Sequence, residues 1–211
     1  MTALLHIAGG GRWARVLAGL AADLRPATRL RLHSPGAAAD LEAWRAAQPF
    51  GARVEIAAQP LDPATEPAGP LLVANRAADH LGAALPALAA GWSVLVEKPL
   101  APRAAEVERL LAAAAAGPGR LAASQVFLFN AGVEALALAL CAAPPLESAE
   151  LAWEDPAGEQ RHGAAKRYDP AVPVLLDVLP HAAAILRRVS GQEPVLQDAG
   201  FARGGRRMTL D

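Results

Sequence analysis

The chain has 211 residues, of which 53% are hydrophobic and 19% charged, with a formal net charge of −1. That is ample apolar material for one large core or two small ones, and it excludes a disordered chain and the basic excess of a nucleic-acid binder. A single cysteine, Cys141, excludes an intrachain disulfide. It fits a reducing compartment, and with no signal-peptide pattern and no unbroken apolar stretch of membrane-spanning length a cytoplasmic protein without membrane contact is expected.

Leu4–Ala8 is a short apolar run ending in glycines and reads as a buried strand. Residues 12–24 follow with helical spacing, placing Trp13, Val16, Leu17 and Leu20 on one side, and Pro26 lies just beyond. A strand over 30–32, a helix over 38–47 and a strand over 53–56 lead to a proline-rich loop at 60–70. A strand at 71–74, a helix at 77–90 and a strand at 93–96 come next. The helix at 104–116 ends at Gly117-Pro118-Gly119, before a strand over 121–129. Strands alternating with helices of this length predict an α/β fold, a doubly wound parallel sheet of the Rossmann type, over residues 1–123. From 124 to 211 the order changes. A helix at 133–141, a strand at 149–153, a helix at 178–189 and short strands at 195–201 and 206–210 predict a smaller α+β domain.

Gly9-Gly10-Gly11-Arg12-Trp13-Ala14 matches G-x-G-x-x-A between the first strand and the first helix. The first glycine permits the tight turn and the second lets backbone approach a pyrophosphate. The small Ala14 lets helix and strand pack closely. A lone glycine-rich turn needs no ligand, but the strand–turn–helix setting argues for a dinucleotide on the helix N-terminus, held by Gly9, Gly11, Arg12 and Trp13. The second strand ends His33-Ser34-Pro35, with no carboxylate before Asp40 to bind the adenosine ribose of NAD. NADP is therefore favoured over NAD, with Arg31 or Arg45 available to a 2′-phosphate. Ser34 is either a cofactor contact or a helix cap.

Residues 72–101 read LVANRAADHLGAALPALAAGWSVLVEKPLA. The strand ending at Asn75, His80 in the next helix and the closing Glu97-Lys98-Pro99 resemble the Gfo/Idh/MocA dehydrogenases (glucose–fructose oxidoreductase, inositol dehydrogenase and rhizopine-catabolism proteins). The resemblance covers the first domain and implies that Asn75, His80, Glu97 and Pro99 line the cofactor crevice. Lys98 stands at the carboxyl end of a strand, on the edge where open α/β sheets bind ligands. There a lysine can hydrogen-bond a substrate oxygen and carry its proton. The bland alternative is a solvated surface lysine. Against it, Lys98 and Lys166 are the only lysines in a chain whose other basic residues are all arginine.

In the resembling family an Asp four residues before a His opens a helix that faces nicotinamide and substrate, and Asp177 and His181 match that pattern. Their i,i+4 spacing would point carboxylate and imidazole together. Pro180 is expected in the first helical turn, with Asp177 near the N-cap. Read without the family, the pair is a helix cap plus a half-buried histidine. The chain departs from the family in three places. Arg167 to Leu176 is bulkier and more apolar than the small residues expected there, which argues against a polyol substrate and leaves Arg167 and Tyr168 as alternative contacts. Asn130 stands where an Arg is common. The antiparallel sheet of the second domain is expected to be incomplete at Asp211, as in a fragment or a C-terminally shortened member, and its exposed edges predict a homo-oligomer.

These readings together predict an NAD(P)-dependent oxidoreductase moving hydride between nicotinamide and a carbonyl, alcohol or imine carbon of a small-molecule substrate. Lys98, Asp177 and His181 would be its catalytic groups, with no metal. The alternatives are a non-catalytic dinucleotide-binding accessory or sensor protein, and a lyase or cyclase with a tightly held nicotinamide.

Overall fold

A computed structural model describes residues 3–143, 147–153, 158, 160, 161, 164, 165, 172–202 and 207–210. The chain divides into two compact units, Met1–Ser124 and Gln125–Asp211.

The first unit is built on a six-stranded parallel sheet in the order β3-β2-β1-β4-β5-β6. Its strands are β1 (Leu4–Ala8), β2 (Arg29–His33), β3 (Val54–Ala57), β4 (Leu71–Val73), β5 (Ser93–Val96) and β6 (Arg120–Ala123), with helices α1 (Arg12–Leu24), α2 (Ala38–Ala46), α3 (His80–Ala89) and α4 (Ala104–Ala116). This is the Rossmann strand order, and its direction of winding reverses between β1 and β4. The register sets Ala8 opposite His33 on one side and opposite Val73 on the other. Successive strand residues point to opposite faces, and both faces are covered. Ile7, Leu30, Leu32 and Leu72 pack with alanines of α1 on one face. Leu71, Val73, Val94 and Val96 pack with Ala84, Ala87, Leu88 and Leu110 on the other.

Two details bear on the packing and length of these elements. The buried face of α1 is Ala14, Ala18 and Ala22, while Trp13 and Leu20 are 38% and 51% exposed. Alanines four residues apart let the helix lie close on the sheet, where larger side chains would hold it off. The strand expected over 121–129 stops at Ala123 because its neighbour β5 stops at Val96. One more bond, from the Ser124 N–H to the Val96 carbonyl at 2.8 Å, closes the ladder, and a 3-10 turn follows at Val126–Phe129. Between β3 and β4 the chain crosses as a loop, residues 58–70, with no helix.

The second unit contains α5 (Ala131–Cys141), α6 (Val174–Ser190) and two short antiparallel pairs, β7 (Gln160–Arg161) with β8 (Ala164–Ala165) and β9 (Ala199–Ala202) with β10 (Arg207–Leu210). Asn130 caps α5, its side-chain oxygen accepting from the Gly132 and Val133 N–H groups at 2.9 and 3.2 Å. Helix α6 starts a turn earlier than expected, with its N-cap at Pro173, so Asp177 lies in the first turn as expected while Pro180 lies inside the helix and not in that turn. The Asp177 N–H makes an early helical bond to the Pro173 carbonyl at 3.1 Å. An interior proline lacks the bond to the carbonyl four residues earlier and its ring crowds that carbonyl, yet α6 continues to Ser190. The strand expected over 149–153 does not form; those residues are irregular. Arg167 and Tyr168 lie outside the described residues. Among the described residues no helix is long and apolar enough to cross a membrane.

Candidate functional site

The carboxyl ends of β1, β4 and β5 bring most of the expected cofactor residues to one edge of the first unit. Gly9 follows β1 at φ 135°, and a Cβ there would stand 2.7 Å from the Ala74 carbonyl oxygen and 2.9 Å from the Asn75 nitrogen. A Cβ on Gly10 would stand 2.4 Å from the Ser34 hydroxyl oxygen. Both glycines are therefore demanded by the protein's own packing. Gly11 is different: a Cβ there would meet nothing within 4 Å. It is the N-cap of α1, which has no side-chain cap and no acidic residue in its first turn. The positive end of that helix, with exposed Arg12 and the partly exposed Trp13 in its first turn, thus opens onto space with room for an anion. Arg15 braces the loop from behind, donating to the Gly10 carbonyl at 3.0 Å.

At the ends of β4 and β5 the polar groups are incompletely satisfied. Asn75 Oδ1 and Glu97 Oε1 are buried and lack hydrogen-bond partners among the described residues. A buried acceptor without a donor is costly, by about 1–3 kcal/mol. Two of them at the sheet edge fit a ligand that brings hydroxyl or amide donors. Glu97 itself is 7% exposed, and its other oxygen accepts weakly from the Lys98 backbone N–H at 3.4 Å. Lys98 is half-buried, and the Lys98–Pro99 peptide is cis. His80 is almost fully buried rather than lining open space. Its Nδ1 lies 2.9 Å from the Pro99 carbonyl and its Nε2 3.3 Å from the Asn75 carbonyl. The ring therefore ties the Glu97-Lys98-Pro99 turn to the end of β4, and it acts through backbone.

Ser34 lies against Gly10 and does not cap α2, whose N-cap is Ala37. The two arginines expected to meet a 2′-phosphate are already engaged. Arg31 pairs with Glu55 and Glu66, and Arg45 pairs with Glu42 at 2.7 Å. Arg31 belongs to a partly buried polar cluster that sequence reasoning missed. His6 in β1 and His33 at the end of β2 are 0% and 4% exposed, and His6 Nδ1 and His33 Nε2 share a hydrogen bond of 3.0 Å. Burial holds both rings below the ordinary histidine range. It pushes His33 down to about 4, assisted by the adjacent His6 and opposed by Glu66. The available signal was a histidine inside the apolar run Leu4–Ala8, with a second one ending the next strand.

In the second unit Asp177 is half-buried and His181 is 7% exposed, both on α6. His181 stacks on Trp153 with ring centroids 5.7 Å apart and planes 9° apart, and meets Phe127 edge-on at 4.8 Å. Phe127 and Trp153 also contact each other edge-on at 5.3 Å. This aromatic setting of the histidine had no signal in the spacing of the residues.

No protein-family model matches the chain, and no curated protein does. Among solved structures, 97% of the chain aligns with 64% of a putative oxidoreductase from Magnetospirillum magnetotacticum, at 26% identity and a TM-score of 0.63. The WlbA dehydrogenase from Bordetella pertussis, solved with NADH and UDP-GlcNAcA, aligns over 67% of this chain and 42% of its own, at 21% identity and a TM-score of 0.58. The myo-inositol dehydrogenase from Lactobacillus casei, solved with NAD(H) and myo-inositol, aligns over the same shares at 17% identity and the same TM-score. In each of these the match spans less than two thirds of the solved protein. The chain shares with these oxidoreductases an α/β fold on a parallel sheet.

Proposed function

We propose that the chain is an NAD(P)-dependent oxidoreductase of the Gfo/Idh/MocA kind, acting on a carbonyl, alcohol or imine carbon of a small molecule. The observation that carries this reading is Gly11, a glycine that the protein's own atoms do not require, at the uncapped start of α1. The absence of a side chain there is accounted for by close approach of a pyrophosphate. Asn75 Oδ1 and Glu97 Oε1 support the same reading as acceptors for the nicotinamide half. Two fold neighbours were solved with NADH or NAD(H), which also supports it. Ser34, uncharged and next to the loop, favours NADP over NAD without help from Arg31 or Arg45.

A nicotinamide dinucleotide held there supplies the two-electron redox step. The chain supplies orientation and proton management. Lys98, half-buried beside the turn that His80 anchors, donates or accepts the proton at the substrate oxygen. In the same proposal His181 is a general acid/base and Asp177 orients a substrate hydroxyl; their four-residue spacing on α6 gives both side chains one helix face.

The test is titration with NADPH and NADH, read by quenching of tryptophan fluorescence, in wild type and Gly11→Val. Saturable binding by the wild type is expected, weakened about tenfold or more in the variant. The melting temperature should change little, because a residue at this N-cap alters stability by about 1 kcal/mol. Folded wild-type protein that binds neither nucleotide would overturn the reading, and so would a variant that binds as well as wild type. For turnover, Lys98→Ala is expected to lower kcat by about 100- to 10,000-fold while leaving nucleotide affinity in place. A fall in affinity with kcat intact would instead make Lys98 a cofactor contact.

A further inference from the structure

We propose that His6, His33 and Glu66 form a binding site for one divalent transition-metal ion of the zinc class, which fastens the loop 58–70 to the sheet. The site is independent of the dinucleotide reading. It lies at the helix-free crossover between β3 and β4, where the His6 ring also packs against Trp92 with centroids 4.8 Å apart.

The geometry supports the assignment at three points. One ligand atom from each of the three residues lies within 4.8 Å of the other two, and both histidines are buried. The two facing imidazole nitrogens are 3.0 Å apart. Two nitrogens bound to a tetrahedral zinc ion, at about 2.0–2.1 Å each, stand roughly 3.3 Å apart. The rings are thus held close to the spacing an ion imposes, and the carboxylate completes the set by moving inward by up to about 1.5 Å. Histidine, histidine and glutamate form a donor set suited to zinc, with the fourth position left to water.

The surroundings are those of a metal ligand pair. His6 Nε2 lies 3.0 Å from the Pro67 carbonyl. Donation to that carbonyl fixes the tautomer and leaves Nδ1 as a lone pair turned toward His33. Without an ion, His33 must then donate from Nε2, which leaves its buried Nδ1 as an acceptor with no hydrogen-bond partner. Ligation through Nε2 would move that proton to Nδ1, making it a donor in place of a bare acceptor. Glu66 is oriented by Arg31, whose guanidinium is held on its other side by Glu55 at 2.8 Å. The loop runs tight against β1 here, since a Cβ on Gly69 would stand 2.8 Å from the Leu4 carbonyl oxygen. An ion shared by β1, β2 and residue 66 would close it further.

The test uses the full chain stripped of metal with a chelator, then titrated with Zn²⁺ against a chromogenic competitor, and with Co²⁺ followed by visible absorption. One ion per chain is expected, with the visible bands of tetrahedral Co²⁺ and a higher melting temperature in the loaded protein. Glu66→Gln, at a partly exposed position and least harmful to folding, should weaken binding by about tenfold or more. Cys141→Ser, at the exposed cysteine, should leave it unchanged. Folded wild-type protein with no saturable 1:1 binding overturns the proposal. So does binding that Glu66→Gln leaves intact or that Cys141→Ser removes.

Discussion

Gly9 in the first unit and Gly191 in the second both stand at positive φ, at 135° and 70°. A Cβ on Gly9 would press into the Ala74 carbonyl, whereas one on Gly191 would meet nothing within 4 Å. The same contrast runs through the two units. In the first, β1 and β4 approach so closely at Gly9 that backbone atoms dictate which residue fits. In the second, the order visible among the described residues comes from side chains: the Asn130 cap, the ring contacts of His181 and the pairing of Arg188 with Glu134. Gly11, like Gly36 and Gly82 in the same unit, is not required by surrounding atoms, and what sets it apart is its place at the uncapped start of α1.

Paired substitutions sharpen this comparison most. Gly9→Ala is expected to cost about 3 kcal/mol or more, from an unfavourable backbone region plus a contact that must force β1 and β4 apart. Gly191→Ala meets only the left-handed penalty, about 1 kcal/mol. Chemical denaturation of both variants measures the difference. Equal losses would show that the close approach of Gly9 to Ala74 relaxes easily, and the contrast between the units would fail.

The next effect concerns the buried histidine pair and is read in metal-stripped protein. His6 and His33 are held below the ordinary value by burial, His33 at about 4, with Glu66 and Arg31 acting on them in opposite directions. A ring whose folded pKa is depressed takes up its proton more readily after unfolding. Its contribution to stability is therefore complete above about pH 6.5 and is lost as pH falls toward 4. The melting temperature should drop between pH 7 and pH 5, and the drop should be shallower in His33→Asn. A wild-type midpoint indifferent to pH over that interval would contradict the burial of the pair.

How much of this was legible in the sequence follows from the same contrast. The strands Leu4–Ala8 and Ser93–Val96 and the helices Arg12–Leu24 and Ala104–Ala116 fall where periodicity and flanking glycines or prolines put them. Position 9 was readable because a glycine after a strand has a backbone reason. The bulky side of α1 does not mark its buried face, because a helix lying close on a sheet buries its alanines. The start of α6 at Val174 is not legible, because Pro180 marks a first turn in sequence but lies inside the helix in the fold. The cluster of His6, His33, Arg31, Glu55 and Glu66 depends on register between strands and on a loop folding back, which no local spacing encodes. The same holds for Phe127, Trp153 and His181.

The smallest expected effect is at the ion pair between α5 and α6. Arg188 reaches Glu134 with its Nε at 3.0 Å and one terminal nitrogen at 2.6 Å from each carboxylate oxygen, and the carboxylate raises the arginine pKa beyond its ordinary value. Both side chains keep more than a third of their surface in water, 37% and 44%. Solvent and salt therefore screen the attraction despite its two-pronged geometry. Glu134 also stands in the first turn of α5 and Arg188 in the last turn of α6, where each complements its own helix dipole. Each single variant, Arg188→Gln or Glu134→Gln, loses that dipole contribution as well as the pair, so a double-mutant cycle is needed to isolate the pair. A small coupling that vanishes in high salt is expected. A coupling as large as the loss in Gly9→Ala, and insensitive to salt, would break the comparison from the other side, because the second unit would then hold an ion pair as demanding as any backbone contact in the first.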